Sequence, residues 1–177
     1  ELESAQTHYQ SAASARKGEW DYHALFSSAI LLIELGDYSL AELQLSQIAD
    51  KTNSELLHHR ARVHLARLRI LDGEEDKARR MIEQISVDET FSPSLLYLMY
   101  TISLHLEIRD RAVDIKEQLV KEYPKSPEAG MVQGVVDRAA SIEEVFGPLR
   151  VTDEASLEGE IQSGDQAEER SVDASGD

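Results

Sequence analysis

The chain has 177 residues, enough for one domain with a sizeable core, and its 41% hydrophobic and 29% charged residues suit a soluble helical protein. It contains no cysteine, which excludes a disulfide framework and a thiolate site, and its formal net charge of −16 argues against a nucleic-acid-binding surface. The longest strongly aliphatic patch, residues 29–33, is far shorter than the ~20 residues that span a bilayer.

The abundance of Leu, Ala, Glu and Arg, with few Pro and Gly, favours helix almost throughout. Residues 2–17 keep a helical spacing of small apolar side chains and are predicted to form an N-terminal packing helix that ends at Gly18. A second helix is predicted over 20–35, and Gly36 then supplies a tight turn into a third helix over about 38–50.

Capping residues mark the helices that follow. Asp37 is the expected N-cap of the helix over 38–50, and Asn53 and Ser54 are alternative N-caps for a helix that runs to Leu71. The next helix is predicted over about 74–86, where three acidic residues lie favourably at the positive helix end.

A third pair of helices is predicted over about 93–107 and 111–123. Ser92 and Pro93 form an N-cap followed by proline at the first helical position, which is typical of a helix start. Asp110 is expected to cap the second helix of this pair.

The same cap chemistry recurs at Ser126 and Pro127, which predict a final helix to about Val145. A stack of helices needs its last apolar face covered, so we interpret this segment as a C-terminal capping helix.

The composition changes after Gly147, which divides the chain into residues 1–19, 20–146 and 147–177. We interpret these as the N-terminal packing helix, the helical array with its capping helix, and an acidic disordered tail, because few apolar residues remain there to offset ordering entropy. Against the lone Arg170, residues 152–177 carry nine acids: Asp153, Glu154, Glu158, Glu160, Asp165, Glu168, Glu169, Asp173 and Asp177.

A turn followed by a small residue recurs along the chain. Gly36 and Gly73 each precede an alanine, Ala41 and Ala78, and a looser copy of the pattern surrounds Ala112. The alanines are separated by 37 and 34 residues. A period near ~34 residues with a turn and a small residue is typical of arrays of tetratricopeptide-type helical hairpins.

The repeats resemble the tetratricopeptide family over roughly residues 22–126. No repeat has the family's tryptophan, and Glu107 stands where a turn glycine is usual. The matching positions are Leu25, Ala29, Gly36, Tyr38 and Ala41, then Leu65, Ala66, Gly73 and Ala78, then Ala112 and Pro124. The resemblance implies an all-α, tetratricopeptide-like solenoid of about three hairpins, flanked by N-terminal and C-terminal helices.

Shorter segments are similar to bacterial cell-envelope members of this family. The run 123–129, Tyr-Pro-Lys-Ser-Pro-Glu-Ala, looks like the inter-repeat junction of outer-membrane-assembly lipoproteins and of the periplasmic coordinator of cell-wall synthesis. Residues 57–78, together with the alanine-rich first helix, are similar to the membrane-anchored ancillary subunit of the Sec translocon. These resemblances imply a role in protein assembly or quality control outside the bacterial cytoplasmic membrane.

In this family the first helices of the hairpins face a concave groove where partners usually lie. An apolar floor with arginines would suit a peptide carrying acidic groups. The alternative is that several of these side chains simply pack against the terminal helices. The register predicts the groove residues His23, Phe26, Ile30 and Ile33, then Arg60, Val63, Arg67 and Ile70, then Ser94, Tyr97, Thr101 and Leu104.

Two interpretations apply to a basic cluster that stands out in this acidic chain. It could form a patch for an anion or an acidic partner, the chain's own tail included, or a solvated helix whose arginines pair with acids of neighbouring repeats. The cluster comprises His58, His59, Arg60, Arg62, His64, Arg67 and Arg69. The asparagine-dependent carboxylate clamp of cytosolic chaperone-binding members is not expected, because Asn53 is the only asparagine.

No catalytic motif, cofactor motif or metal-binding set is present in the sequence, so we expect a non-enzymatic protein–protein interaction scaffold. The alternatives are a cytosolic adaptor whose acidic tail contributes to recognition, and a scaffold that self-associates. The expected partner is a protein or peptide, not nucleic acid, and no membrane insertion is expected from this segment. The resemblances favour the periplasm or envelope, with the cytoplasm second, and a signal peptide, lipobox or anchor upstream of Glu1 would decide between them.

Overall fold

The computed structural model describes residues 4, 8, 11, 19–87, 91–133, 141 and 145, and all the regular secondary structure in them is helical. Consecutive helices pack against one another. The described helices are α1 Glu19–Leu35, α2 Tyr38–Lys51, α3 Glu55–Leu71, α4 Glu75–Glu83, α5 Pro93–His105, α6 Arg109–Glu122 and α7 Pro127–Val132.

Four of these helices begin at a side chain that accepts a hydrogen bond from the first turn. The acceptors are Asp37 for α2 at 3.2 Å, Ser54 for α3 at 3.3 Å, Ser92 for α5 at 3.3 Å and Ser126 for α7 at 3.0 Å. These bonds satisfy amide N–H groups that a helix start otherwise leaves unpaired. The predicted caps are therefore confirmed at these four positions, and Ser54 rather than Asn53 caps α3.

The first helix of each pair ends in the same reversal of the chain. Gly36, Gly73 and Glu107 take positive φ angles of 86°, 72° and 57°. In each case the amide of the following residue donates to a carbonyl five positions back, at 2.8 to 2.9 Å. This pattern is the Schellman motif, and it turns each first helix directly into its second helix. In the third pair a glutamate adopts the left-handed conformation that glycine provides in the other two.

The core consists of two hydrophobic clusters that meet at α3. One face of α3 packs against α1 and α2, and another packs among α4, α5, α6 and α7. The first face comprises Leu57, Ala61, Leu65 and Leu68, and the second comprises Val63, Ala66 and Ile70, all of them buried. Helix α3 therefore contributes buried side chains to both clusters, and Met81 of α4 is partly buried against both.

First helices also pack on one another along the chain. Helix α3 contacts α5, and α5 contacts α7. The three alanines at the expected repeat positions, Ala41, Ala78 and Ala112, are each 0% exposed. A side chain larger than a methyl group has no free space at such positions.

Several predicted helix boundaries are corrected by the structure. Helix α4 ends at Glu83 rather than about 86, and α5 ends at His105 because Glu107 already forms the reversal. Helix α6 begins at Arg109, so Asp110 lies in its first turn and does not cap it.

The prediction of one helix from Pro127 to about Val145 is also wrong. Helix α7 ends at Val132, because Gln133 has an extended backbone. Val145 is nevertheless buried in the second cluster, and its amide donates to the carbonyl of Ser141.

Two predicted segments fall largely outside the described residues. Of the N-terminal helix over 2–17, the structure describes Ser4, His8 and Ser11, all of them helical. The acidic tail, 147–177, lies outside the described residues. Among the helices that are described, none is long and apolar enough to cross a bilayer.

The left-handed residue of the third reversal gives a test of this fold. We expect Glu107→Gly to raise the free energy of unfolding by about 0.5–1 kcal/mol, because an exposed non-glycine residue is strained at positive φ. Gly73→Ala should lower it by about 1 kcal/mol, although a methyl group there meets no atom within 4 Å. Urea unfolding measures the free energy of unfolding of both variants, and the two changes from the wild type must have opposite signs.

The buried alanines give a second test. Ala78→Leu should lower the free energy of unfolding by about 1–3 kcal/mol, because the added methylenes have no free volume. The exposed Arg80 on the same helix provides a matched control, and Arg80→Leu should change stability by less than about 0.5 kcal/mol. An unchanged melting temperature for Ala78→Leu would contradict the packing of α4 described above.

Candidate functional site

Helix α3 carries seven arginine or histidine side chains, and its two apolar faces are both buried. Because residues three and four apart share a face, the polar residues separate into strips between the apolar faces. We call His58, Arg62 and Arg69 the outer strip. We call Arg60, His64 and Arg67 the inner strip.

The outer strip is tied to α2 and α4. Arg69 pairs with Glu42 of α2, and its guanidinium also lies 3.2 Å from Glu74 and 3.5 Å from Asp72. Glu74 is held in turn by Lys77, and the hydrogen bond from Lys77 is the main cause of the lowered pKa of the Glu74 carboxyl. Arg69 therefore pairs with acids of neighbouring helices. This pairing agrees with the second interpretation of the basic cluster, in which its arginines pair with acids of neighbouring repeats.

Two further contacts complete the outer strip. The Nδ1 atom of His58 lies 2.8 Å from the carbonyl oxygen of Ala49 on α2. Arg62 donates to the side-chain oxygen of Gln84, just beyond α4, at 2.7 Å. These contacts join three successive helices, so the outer strip has a structural role.

The inner strip faces α1. The guanidinium carbon of Arg60 lies 5.0 Å from the centroid of the Phe26 ring, in cation–π geometry. The ring of His64 meets the same phenyl ring edge-on, with centroids 5.5 Å apart. Phe26 is only 8% exposed, so its ring is enclosed by these two side chains and by the first cluster. The basic cluster is thus divided between two sides of α3 and does not form a single patch.

His64 is neutral in this environment. Its Nδ1 atom is shielded from solvent and has no hydrogen-bond partner among the described residues. Burial is the main cause that lowers the pKa of its imidazole to about 3, and the charges of Arg67 and Arg60 act in the same direction. A proton on this ring would be both desolvated and repelled.

Arg67 is more enclosed than its sequence position suggested. A long arginine side chain usually keeps its guanidinium in solvent, but the Nε atom of Arg67 is shielded and burial lowers the pKa of the group. The nearby Glu34 carboxylate and Tyr38 oppose that shift. The positive charge of Arg67 is therefore partly compensated by these groups, whereas Arg60 contacts an aromatic ring.

The remaining predicted groove residues divide into exposed and supporting positions. His23 is exposed, and Ile30 and Tyr97 are partly exposed. Ile33 and Thr101 are only 5% and 4% exposed, and the Thr101 hydroxyl donates to the carbonyl of Leu98 at 2.9 Å. These two lie beneath the surface.

Val63 has no exposed surface at all and belongs to the second cluster. His64 belongs to the predicted basic cluster but not to the predicted groove residues, although it follows Arg60 by four positions and precedes Arg67 by three. That spacing is the signal that could have identified it, because it places all three side chains on one face.

The face offers no evident metal site. Within the part of the chain that the structure describes, no three His, Asp or Glu side chains lie close enough together to hold a metal ion.

Comparison with family models, with curated proteins and with solved structures finds no match to this chain. The geometry of the described residues is therefore the basis for assigning a function.

The neutral His64 predicts a pH-dependent stability. Its pKa is about 3 in the folded chain and about 6.5 when unfolded, so the unfolded chain binds the extra proton first as the pH falls. Between pH 7 and pH 5 this should lower the free energy of unfolding by up to ~2 kcal/mol.

His64→Gln removes this contribution, so its loss of stability between the two pH values should be smaller than that of the wild type. His23→Gln, at an exposed position on α1, should keep the wild-type dependence. Urea unfolding at both pH values measures the difference, and equal losses in wild type and His64→Gln would contradict the assigned burial.

Proposed function

We propose that this chain is a non-enzymatic scaffold of tetratricopeptide-like architecture that holds a segment of a partner protein on the face formed by α1, α3 and α5. The observation that carries the proposal is the contact of Arg60 and His64 with Phe26, which joins basic side chains of α3 to an aromatic ring of α1 across two successive hairpins. Tyrosine, arginine and other aromatic side chains are the residues most enriched at the centres of protein interfaces.

Three features support the solenoid part of the proposal. The same reversal ends α1, α3 and α5, at positions 37 and 34 residues apart. The alanine that follows each reversal is fully buried. The first helices α3, α5 and α7 pack in succession. An array built in this way presents its first helices on a common side.

The extent of the face favours a peptide segment over a small molecule. Its partly exposed side chains come from three helices, with Ile30 on α1, Arg60 on α3 and Tyr97 on α5. The Tyr97 ring lies 6.4 Å from that of Tyr100, which is buried beneath it in the second cluster. An amphipathic helix or an extended segment can contact side chains spread in this way.

The scaffold would act in the assembly or quality control of bacterial envelope proteins, a role supported by the resemblance of residues 57–78 and 123–129 to envelope proteins. The alternative is a cytosolic adaptor that uses the same face and whose acidic tail contributes to recognition.

The proposal predicts that partner capture depends on the face and not on the second helices. Arg60→Ala and Tyr97→Ala should each weaken capture by about 1–3 kcal/mol, the usual effect of truncating an interface anchor. Glu83→Lys, at an exposed position on α4, should leave capture unchanged.

The measurement is quantitative capture from an extract of the source organism, followed by the dissociation constant of each captured protein with each variant. Circular dichroism and melting temperature verify that the variants stay folded. If Glu83→Lys loses the partners while Arg60→Ala and Tyr97→Ala retain them, the binding surface lies on the second helices and the proposal fails.

A further inference from the structure

We propose that the segment held on this face is acidic and amphipathic, belongs to another protein, and places its carboxylates on the inner strip of Arg60, His64 and Arg67 beside Phe26. This inference rests on the proposed function and specifies the chemistry of the partner.

The first argument is the contrast between two arginines of the same helix. Arg69 on the outer strip lies within ion-pair distance of three acids, Glu42, Asp72 and Glu74. The guanidinium carbon of Arg60 on the inner strip lies 5.0 Å from the centroid of a phenyl ring, and no carboxylate pairs with Arg60 among the described residues. A guanidinium has five N–H donors in a planar fork, and those that do not face the ring can bind a carboxylate with two hydrogen bonds.

The second argument is the donor that His64 adds one turn away. A neutral imidazole carries one proton, and its Nδ1 atom is shielded without a hydrogen-bond partner among the described residues. We assign the proton to Nε2, the nitrogen of this partly exposed side chain that is not so shielded. Residues four apart on a helix lie roughly 6 Å from each other, so one carboxylate can contact both Arg60 and His64.

The third argument is the spacing along the strip. Arg60 and Arg67 are two helical turns apart, which is roughly 10 Å along the axis. That distance matches acidic residues seven positions apart on a partner helix. Glu34 partly compensates Arg67, so Arg60 is the principal anchor. The partly exposed Ile30 lies on α1 together with Phe26 and provides apolar surface for the rest of the segment.

Charge complementarity is pronounced because the chain as a whole has a net charge of −16. A basic strip in such a chain is a local exception, and it attracts an acidic segment that the rest of the surface repels. The chain's own tail over 152–177 is also acidic, but it carries no aromatic residue, and it is the competing occupant.

The probe is a fluorescein-labelled synthetic amphipathic peptide with leucines on one face and two glutamates seven positions apart. Its control is the same peptide with both glutamates replaced by glutamine. Fluorescence anisotropy with the full chain should show that the glutamate peptide binds about 10–100 times more tightly, the effect expected of charge-assisted hydrogen bonds. The preference should decrease with added salt.

Arg60→Gln should remove most of that preference. Arg62→Gln is the matched control, because Arg62 is the same residue type two positions away on the outer strip, bonded to Gln84. It should keep the wild-type preference. Equal binding of the two peptides, no binding of either, or an equal loss of preference in both variants would each overturn the inference.

The tail is tested in the full chain by converting its nine acids to the corresponding amides. Unchanged affinity for the glutamate peptide supports an occupant from another protein. A rise of about tenfold or more would show that the tail covers the strip, which overturns the inference.

If the acid preference is absent but Arg60→Ala and Tyr97→Ala still weaken partner capture, the proposed function stands and only the acidic partner is rejected.

Discussion

Helix α3 must bury two apolar faces at once, because the first hydrophobic cluster packs against Leu57, Ala61 and Leu65 and the second packs against Val63 and Ala66. Neither cluster is complete without it. The helix must also carry its polar side chains in the two narrow strips that remain between these faces. This constraint fixes the rotation of α3 and therefore decides which of its arginines meet the second helices and which meet α1.

The two strips satisfy their charges in different ways. On the outer strip, Arg69 exchanges hydration for carboxylates of α2 and of the turn before α4, which offsets the cost of partial burial. On the inner strip, the guanidinium of Arg60 lies over the Phe26 ring and His64 is kept neutral by burial. The inner strip is thus stable without a bound partner, yet it retains N–H donors that a partner's carboxylate would satisfy. This difference within one helix is the physical basis for assigning it a binding role.

Sequence reasoning identified Phe26, Arg60 and Arg67 as members of one face, and the structure places Phe26 against Arg60. Sequence reasoning did not distinguish the buried Val63 and Thr101 from partly exposed residues such as Tyr97. A helical register gives the direction of a side chain, but its exposure depends on how closely the next helix packs. For the same reason the enclosure of Arg67 could not be read from its spacing.

The sequence by itself determined the helical class, the caps at Asp37, Ser92 and Ser126, and the glycine reversals, because each depends on a few adjacent residues and their local hydrogen bonds. Only the tertiary structure decided that the basic cluster of α3 divides into two strips. It also decided that α7 ends at Val132. The division into strips depends on contacts between residues far apart in the chain, such as Arg69 with Glu42 and Phe26 with Arg60, and no local pattern encodes which distant side chain will occupy a given space.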